Sequence, residues 1–256
     1  MEIFHTNGWF GIFRMAHVIV AVMWMGLLWF FNMVQTPAYA EMDAGARSNA
    51  LDKLTWRALW WFRWAAAATV VFGLLLLMLG SMADKTIAPG IYHKDYWLHS
   101  PFGPWLLIGI LFGIVMFLNV WLVIWPQQQV VIGNARNVAA GGEADPNAAG
   151  SARAGAMASR QNTIFSLPLL TMMVGASHFW LSPKVDRSYI TSGRSVAFIV
   201  IGIAVLAALE ANALGYISGK GNTGLNWIYE THKNAIYTGC GLILFFYILG
   251  EILLRR

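Results

Sequence analysis

Six apolar blocks dominate the chain, at residues 10–31, 56–79, 102–125, 163–181, 195–216 and 235–254. Each approaches or exceeds the roughly 20 residues that carry a helix across about 30 Å of hydrocarbon. The blocks are apolar on every face and bounded by Trp, Pro, Gly or charge. Membrane strands would alternate over about ten residues, so the pattern predicts helices and excludes a barrel. The expected fold class is therefore all-α: a polytopic membrane helix bundle with six transmembrane helices, forming one integral membrane domain over residues 1–256.

The segments between the blocks differ in character. Residues 36–55 mix charge with Ala, Leu and Met at partly helical spacing, which predicts a short interfacial helix. Residues 134–159 are rich in Gly and Ala with scattered Arg, and read as a flexible linker. Residues 81–101 hold Tyr92, His93, Tyr96, Trp97 and His99, aromatics suited to a loop folded against the membrane face. Ala38-Tyr39-Ala40 has the small-x-small form of a signal cleavage site. No basic stretch precedes block 1, however, and the block exceeds the usual 7–15 residues of a signal core, so the first helix is expected to remain in the mature protein.

Composition agrees with this picture. Hydrophobic residues make up 58% of the chain and charged residues 11%, with a mean hydropathy of +0.57, which excludes an ordinary soluble domain. The net charge of +5 suits anionic lipid headgroups, and nothing in it points to nucleic acid. Six crossings put both ends on one side, here side A, with eight Lys and Arg against nine on side B. That balance gives the positive-inside rule nothing to decide. The single cysteine, Cys240, rules out an intrachain disulfide, a thiolate cluster and a c-type haem motif; a small packing residue is expected there.

The candidate chemistry lies in histidines. His17 falls about seven residues into helix 1, roughly 10 Å deep on side A. His178 comes about three residues before the side-A end of helix 4, and His99 three residues before helix 3 begins on that side. Imidazoles near hydrocarbon are a functional-site signal, because burial must be offset by a partner, a cavity or a ligand. Haem b fits: its iron takes imidazoles from facing helices, its ring is apolar, and its propionates need cations near the headgroups. The expected cofactor-binding residues are His17, His178, His99, Arg14 and Trp24, with His17 and His178 as iron ligands and His99 in reserve. Lys94 and Arg187 are further partners for the propionates. Ala21, Trp24 and Leu28 share the His17 face; Leu167, Thr171, Val174 and Gly175 share that of His178, where small residues leave room for a flat ring. The bland alternative is an imidazole bonded to a backbone carbonyl or water, which applies above all to His99, His93 and His5.

Side B carries a second polar cluster of Arg63, Glu210, Asn119 and His232, with Asn32, Gln35 and Arg57 nearby. Arg63 and Glu210 lie inside apolar blocks, so a structural ion pair between helices 2 and 5 is expected. A second cofactor or quinone pocket using His232 is the alternative.

The segment His17-Val-Ile-Val-Ala-Val-Met-Trp24-Met-Gly26-Leu-Leu-Trp-Phe-Phe-Asn32, followed by Val34-Gln-Thr-Pro37-Ala and Glu41-Met-Asp43, resembles the membrane-embedded N-terminal domain of the bacterial urate oxidase (urate hydroxylase) family. Arg57-Ala-Leu-Trp-Trp-Phe-Arg63-Trp64, Asn119-Val-Trp-Leu-Val-Ile-Trp-Pro126, Arg160-Gln-Asn-Thr163, Ser166-Leu-Pro168 and Ser177-His178 carry the same resemblance. It covers helices 1 to 4, while helices 5 and 6 match only in hydropathy. Helix 1 is also similar, more distantly, to membrane-type protoporphyrinogen oxidases and copper-resistance membrane proteins, a group in which a helix-1 histidine is associated with haem; this implies that role for His17. Urate-oxidising members append a cytochrome c domain, and this sequence holds no CxxCH motif. The resemblance thus implies either a separate cytochrome as electron partner, with urate among the candidate substrates, or a relative with another task.

The resulting expectation is a multi-pass haem b redox protein of the bacterial inner (cytoplasmic) membrane. It would pass electrons to or from a cytochrome c, with an oxidoreductase activity left open and no catalytic residue assigned. A non-catalytic subunit of a larger respiratory or photosynthetic complex is the alternative. A transporter using Arg63 and Glu210 is disfavoured by the absence of an inverted repeat.

Overall fold

The structure, a computed structural model, describes residues 5–80, 98–176, 178–179 and 191–255. Six long helices make up the bundle: α1 (Thr6–Glu41), α2 (Ala44–Leu79), α3 (Phe102–Ala139), α4 (Ala148–Gly175), α5 (Ser192–Ala213) and α6 (His232–Leu253). Among the described residues there is no strand. Five of the helices, all but α4, are long and apolar enough to cross a membrane.

Neighbouring rings and side chains fix the directions. Phe13 packs on Phe72 and Phe31 on Phe62, so α1 and α2 run antiparallel. Trp64 meets Trp121 and Trp56 meets Trp125, which sets α3 antiparallel to α2. Trp105 lies against Phe198 on α5, and Asn119 bonds Glu210 further along, so α3 and α5 run parallel. These directions agree with the alternation that six crossings require.

α4 sits at the centre and is buried on nearly all sides; Arg160, Gln161, Asn162, Thr163 and Ser166 are all interior. Its polarity explains why it is the helix that falls short of a membrane-span profile. The outward residues of α1, α2 and α5 are instead apolar, as in Val22, Leu74 and Val200. A chain that is polar inside and apolar outside is built for a lipid solvent.

The first three helices run well past the expected spans. α3 holds 38 residues, about 57 Å at 1.5 Å per residue, against roughly 30 Å of hydrocarbon. The expected linker at 134–159 is mostly helical: α3 continues to Ala139, α4 begins at Ala148, and only residues 140–147 connect them. Its small residues serve contact rather than freedom, since Ser151, Ala154, Gly155 and Ala158 are buried. Positive φ is needed at Gly141 (φ 85°), where the chain turns. Residues 36–55 likewise form no separate interfacial helix. They extend α1 and α2, meeting at Asp43, whose carboxylate accepts from the Ala46 N–H and caps α2.

α1, α2 and α3 each contain a π-helical turn near the side-B end of the apolar block: Phe30–Gln35, Leu51–Thr55 and Asn119–Ile124. Two precede prolines, Pro37 and Pro126. A proline clashes with the carbonyl four residues back, here Met33 and Leu122, and a widened turn at those residues absorbs the clash.

Glycines set the closest helix approaches. A Cβ at Gly239 would stand 2.9 Å from the Ile164 carbonyl oxygen and 2.8 Å from Leu167. Pro168 lacks the N–H that would pair with Ile164 four residues back, so α6 approaches α4 where that carbonyl is freed. Cys240, expected as a packing residue, is exposed on the outer face beside Gly239.

Candidate functional site

His17 lies on α1 facing α2. Its Nδ1 is 2.8 Å from the Thr69 carbonyl oxygen, and because a carbonyl only accepts, Nδ1 carries the proton and Nε2 the lone pair. Gly73, one turn beyond Thr69, makes space: a Cβ there would approach the ring at 3.2 Å. Thr69 is itself held, its hydroxyl donating to the Ala65 carbonyl at 2.8 Å. Thr69 and Gly73 belong to the site and escaped sequence reasoning.

His178 repeats the pattern, with Nδ1 2.8 Å from the Val174 carbonyl. Both histidines lie toward the side-A end, His178 exposed and past the last residue of α4. Trp29 Nε1 donates to Ser166 Oγ at 2.9 Å across α1 and α4, and both His17 and His178 lie twelve residues from that contact toward side A. His99 belongs to the same end, half-buried just before α3. No described contact joins one imidazole to another, and among the described residues no group of three His, Cys, Asp or Glu is close enough to hold a metal.

The surroundings differ in part from expectation. Trp24 is buried, and its indole N–H has no hydrogen-bond partner among the described residues. Arg14 is exposed. The room expected beside Gly175 is filled by Phe179, whose ring would lie 2.5 Å from a Cβ there and packs edge-on against Trp105. Lys94, Arg187, Ser177 and His93 lie outside the described residues.

On side B a polar network ties α4 to its neighbours. Asn119 Nδ2 donates to Asn162 Oδ1 and to Glu210 Oε2, each at 3.0 Å. Asn162 donates onward to the Met116 carbonyl at 2.9 Å. Toward α1, Arg160 Nε donates to Asn32 Oδ1 at 2.9 Å, and Asn32 Nδ2 to Ser159 Oγ at 2.8 Å. The π-helical turns place Asn32 and Asn119 inward, where both are buried. Beyond α5, Tyr229 donates its hydroxyl to the Leu209 carbonyl at 3.1 Å. Burial pushes that phenol up to about 12, Asn212 opposes the rise, and the Glu210 charge adds to it. Gln161 is fully buried, and neither of its amide atoms has a hydrogen-bond partner among the described residues.

The expected Arg63–Glu210 ion pair does not form. Arg63 faces the opposite side of α3, with its guanidinium 3.9 Å from the Trp125 ring centre and 4.9 Å from that of Trp121. Glu210 is served by Asn119 instead. His232 begins α6 half-buried and has no described side-chain bond to the cluster. Gln35 accepts from Thr55 at 3.2 Å in the α1–α2 extension.

The extensions are pinned to one another. Ser48 Oγ donates to the Ala135 carbonyl at 3.1 Å, and Arg136 pairs with Asp52. Lys53 and then Arg136 hold the Asp52 carboxyl below its ordinary range, in the segment that precedes the apolar part of α2. Arg153 pairs with Glu230 at 2.6 Å and donates Nε to the Lys220 carbonyl at 2.9 Å.

Apolar helices around a buried polar core define the class: a multi-pass helical membrane protein. Residues 92–214 match the family model described as urate oxidase N-terminal. The match includes α5, which the sequence resemblance reached only by hydropathy; α1, α2 and α6 lie outside the matched residues. No curated protein and no solved structure matches the chain.

Proposed function

We propose that the chain is a haem b redox protein of the bacterial inner membrane, in which His17 and His178 would hold the haem iron at the side-A end and a separate cytochrome c would be the electron partner. The observation that carries this reading is the shared state of the two imidazoles. Each commits its Nδ1 proton to a backbone carbonyl, which leaves Nε2 with the lone pair, the arrangement in which metal-ligating histidines are held by their second shell. Their placement toward the same end of the bundle supports the pairing. Haem, when bound, supplies one-electron chemistry. The chain's part is to fix ring orientation through Thr69 and Val174 and to exclude water with Trp24 and Leu28, both fully buried. Oxidation of a small molecule such as urate is the activity that the family description suggests for such a centre.

The test is a pyridine haemochromogen assay and a low-temperature electron paramagnetic resonance spectrum on the purified chain. A b-type spectrum with bis-imidazole g-values is expected, lost in His17→Ala and converted to a single-imidazole signature in His178→Ala. Purified protein that takes up no haem, even when expressed with added haem precursor, overturns the reading.

A further inference from the structure

Arg63 lies within the apolar part of α2, and no acidic side chain pairs with it among the described residues. Its Nε is buried without a hydrogen-bond acceptor. A guanidinium at this depth needs compensation, and the structure supplies half of it. Trp125 and Trp121 take the cation against their ring faces, at 3.9 and 4.9 Å. No described residue supplies the anion.

The outer surface beside it is built from the same two residue types. Arg57, Trp60 and Trp64 follow one another at helical spacing on the outward face of α2, and all three are exposed. Trp64 packs edge-on against Trp121 at 5.4 Å, so the outward indoles and the Arg63 cage form one continuous strip along the α2–α3 seam. Indoles gather where hydrocarbon meets headgroups, because the ring is apolar and its N–H seeks a polar partner. The strip therefore marks the level at which lipid phosphates lie, with Arg57 exposed at it and Arg63 reaching back toward it over Trp125, which packs on Trp56 at the start of the block.

We propose that the α2–α3 seam binds an anionic glycerophospholipid, with its phosphodiester between Arg57 and Arg63 and its acyl chains along Trp60 and Trp64. Charge complementarity selects this occupant. A zwitterionic lipid brings its own cation to a site that already holds two, and a lipid phosphate offers the planar guanidinium a bidentate acceptor. The site is independent of the haem reading, since it lies on side B and uses neither histidine.

The experiment is native mass spectrometry of the detergent-purified, delipidated chain, titrated with phosphatidylglycerol or with phosphatidylcholine of the same acyl composition. Retention of phosphatidylglycerol is expected to exceed that of phosphatidylcholine, by about fivefold for each guanidinium engaged. Arg63→Gln is expected to reduce the preference about fivefold, and Arg57→Gln to reduce it further. Equal retention of the two lipids, or a preference unchanged in Arg63→Gln, overturns the proposal. If that variant fails to fold, the natural chain still decides. Reconstituted with small amounts of acyl-brominated lipid, its tryptophan fluorescence should be quenched more strongly by phosphatidylglycerol than by phosphatidylcholine, and equal quenching counts against the site.

Discussion

The two ends of the bundle handle polar groups in opposite ways. On side B, side chains satisfy one another across helices: Asn119 with Asn162 and Glu210, Arg160 with Asn32, Trp29 with Ser166. On side A, the Nδ1 atoms of His17 and His178 each meet a backbone carbonyl. Networked groups hold helices in place because each donor is matched to a distinct acceptor. His17, anchored at Nδ1, keeps its Nε2 lone pair for an outside partner. Side B is thus the end that holds the fold, and side A the end suited to chemistry.

The strongest way to break this division is Gly239→Leu. The new side chain would force α6 off the Ile164 carbonyl, and about 3 kcal/mol of destabilisation is expected, read as a lowered unfolding midpoint in detergent. Full retention of the midpoint would mean that the α4–α6 contact does not hold the bundle. Asn119→Ala comes next, at about 2 kcal/mol, because it leaves Asn162 and Glu210 without their shared donor. In the haem-free chain His17→Ala should cost under about 1 kcal/mol by the same measurement, since it removes one bond to a carbonyl at a half-buried position. A larger loss from His17→Ala than from Asn119→Ala would reverse the assignment of the two ends.

Gln161 sharpens the comparison from the other direction. Gln161→Met keeps volume and removes a buried amide without partners, so stability should rise by about 1 kcal/mol. A clear loss would show that the amide is engaged.

The smallest effect concerns acid. Asp52 is held below its ordinary pKa in the folded chain, so the unfolded chain binds its proton more readily. Its contribution is present above the unfolded value and fades as pH falls through the folded one. Between pH 6 and 3, about the range around a free carboxylate, the midpoint of Asp52→Asn should fall slightly less than that of the natural chain. Identical slopes would remove Asp52 from the acid response.

How much of this was legible depends on what each residue needed to signal. Five of the six expected spans were, because bilayer thickness demands long apolar runs and no other element produces them; the fourth block became part of a helix too polar to qualify. Their side-B extensions were not. Gly and Ala between 134 and 159 have the composition of a linker, and only the buried contacts of Ala154, Gly155 and Ala158 show that small size serves packing. The Arg63–Glu210 pair failed for a directional reason. Opposite charges in neighbouring blocks say nothing about which face of α3 each addresses, and these two address different faces. His17 was legible as an imidazole in an apolar run. Thr69 and Gly73 were silent, since a backbone carbonyl and an absent Cβ leave no mark on residue type.

The three π-helical turns also act on angular phase. An α-helix advances about 100° per residue, so a turn that takes in one extra residue rotates everything beyond it by that amount relative to an unbroken helix. The inward stripe of α3 before Asn119 and that after Ile124 consequently belong to different phases. Deleting one residue within 119–124 would remove that extra residue and leave an uninterrupted helix, with the 125–139 extension keeping its direction, Arg136 still at Asp52 and Ala135 still at Ser48. In these helices, residue number and compass direction are reset at the level of the side-B tryptophans.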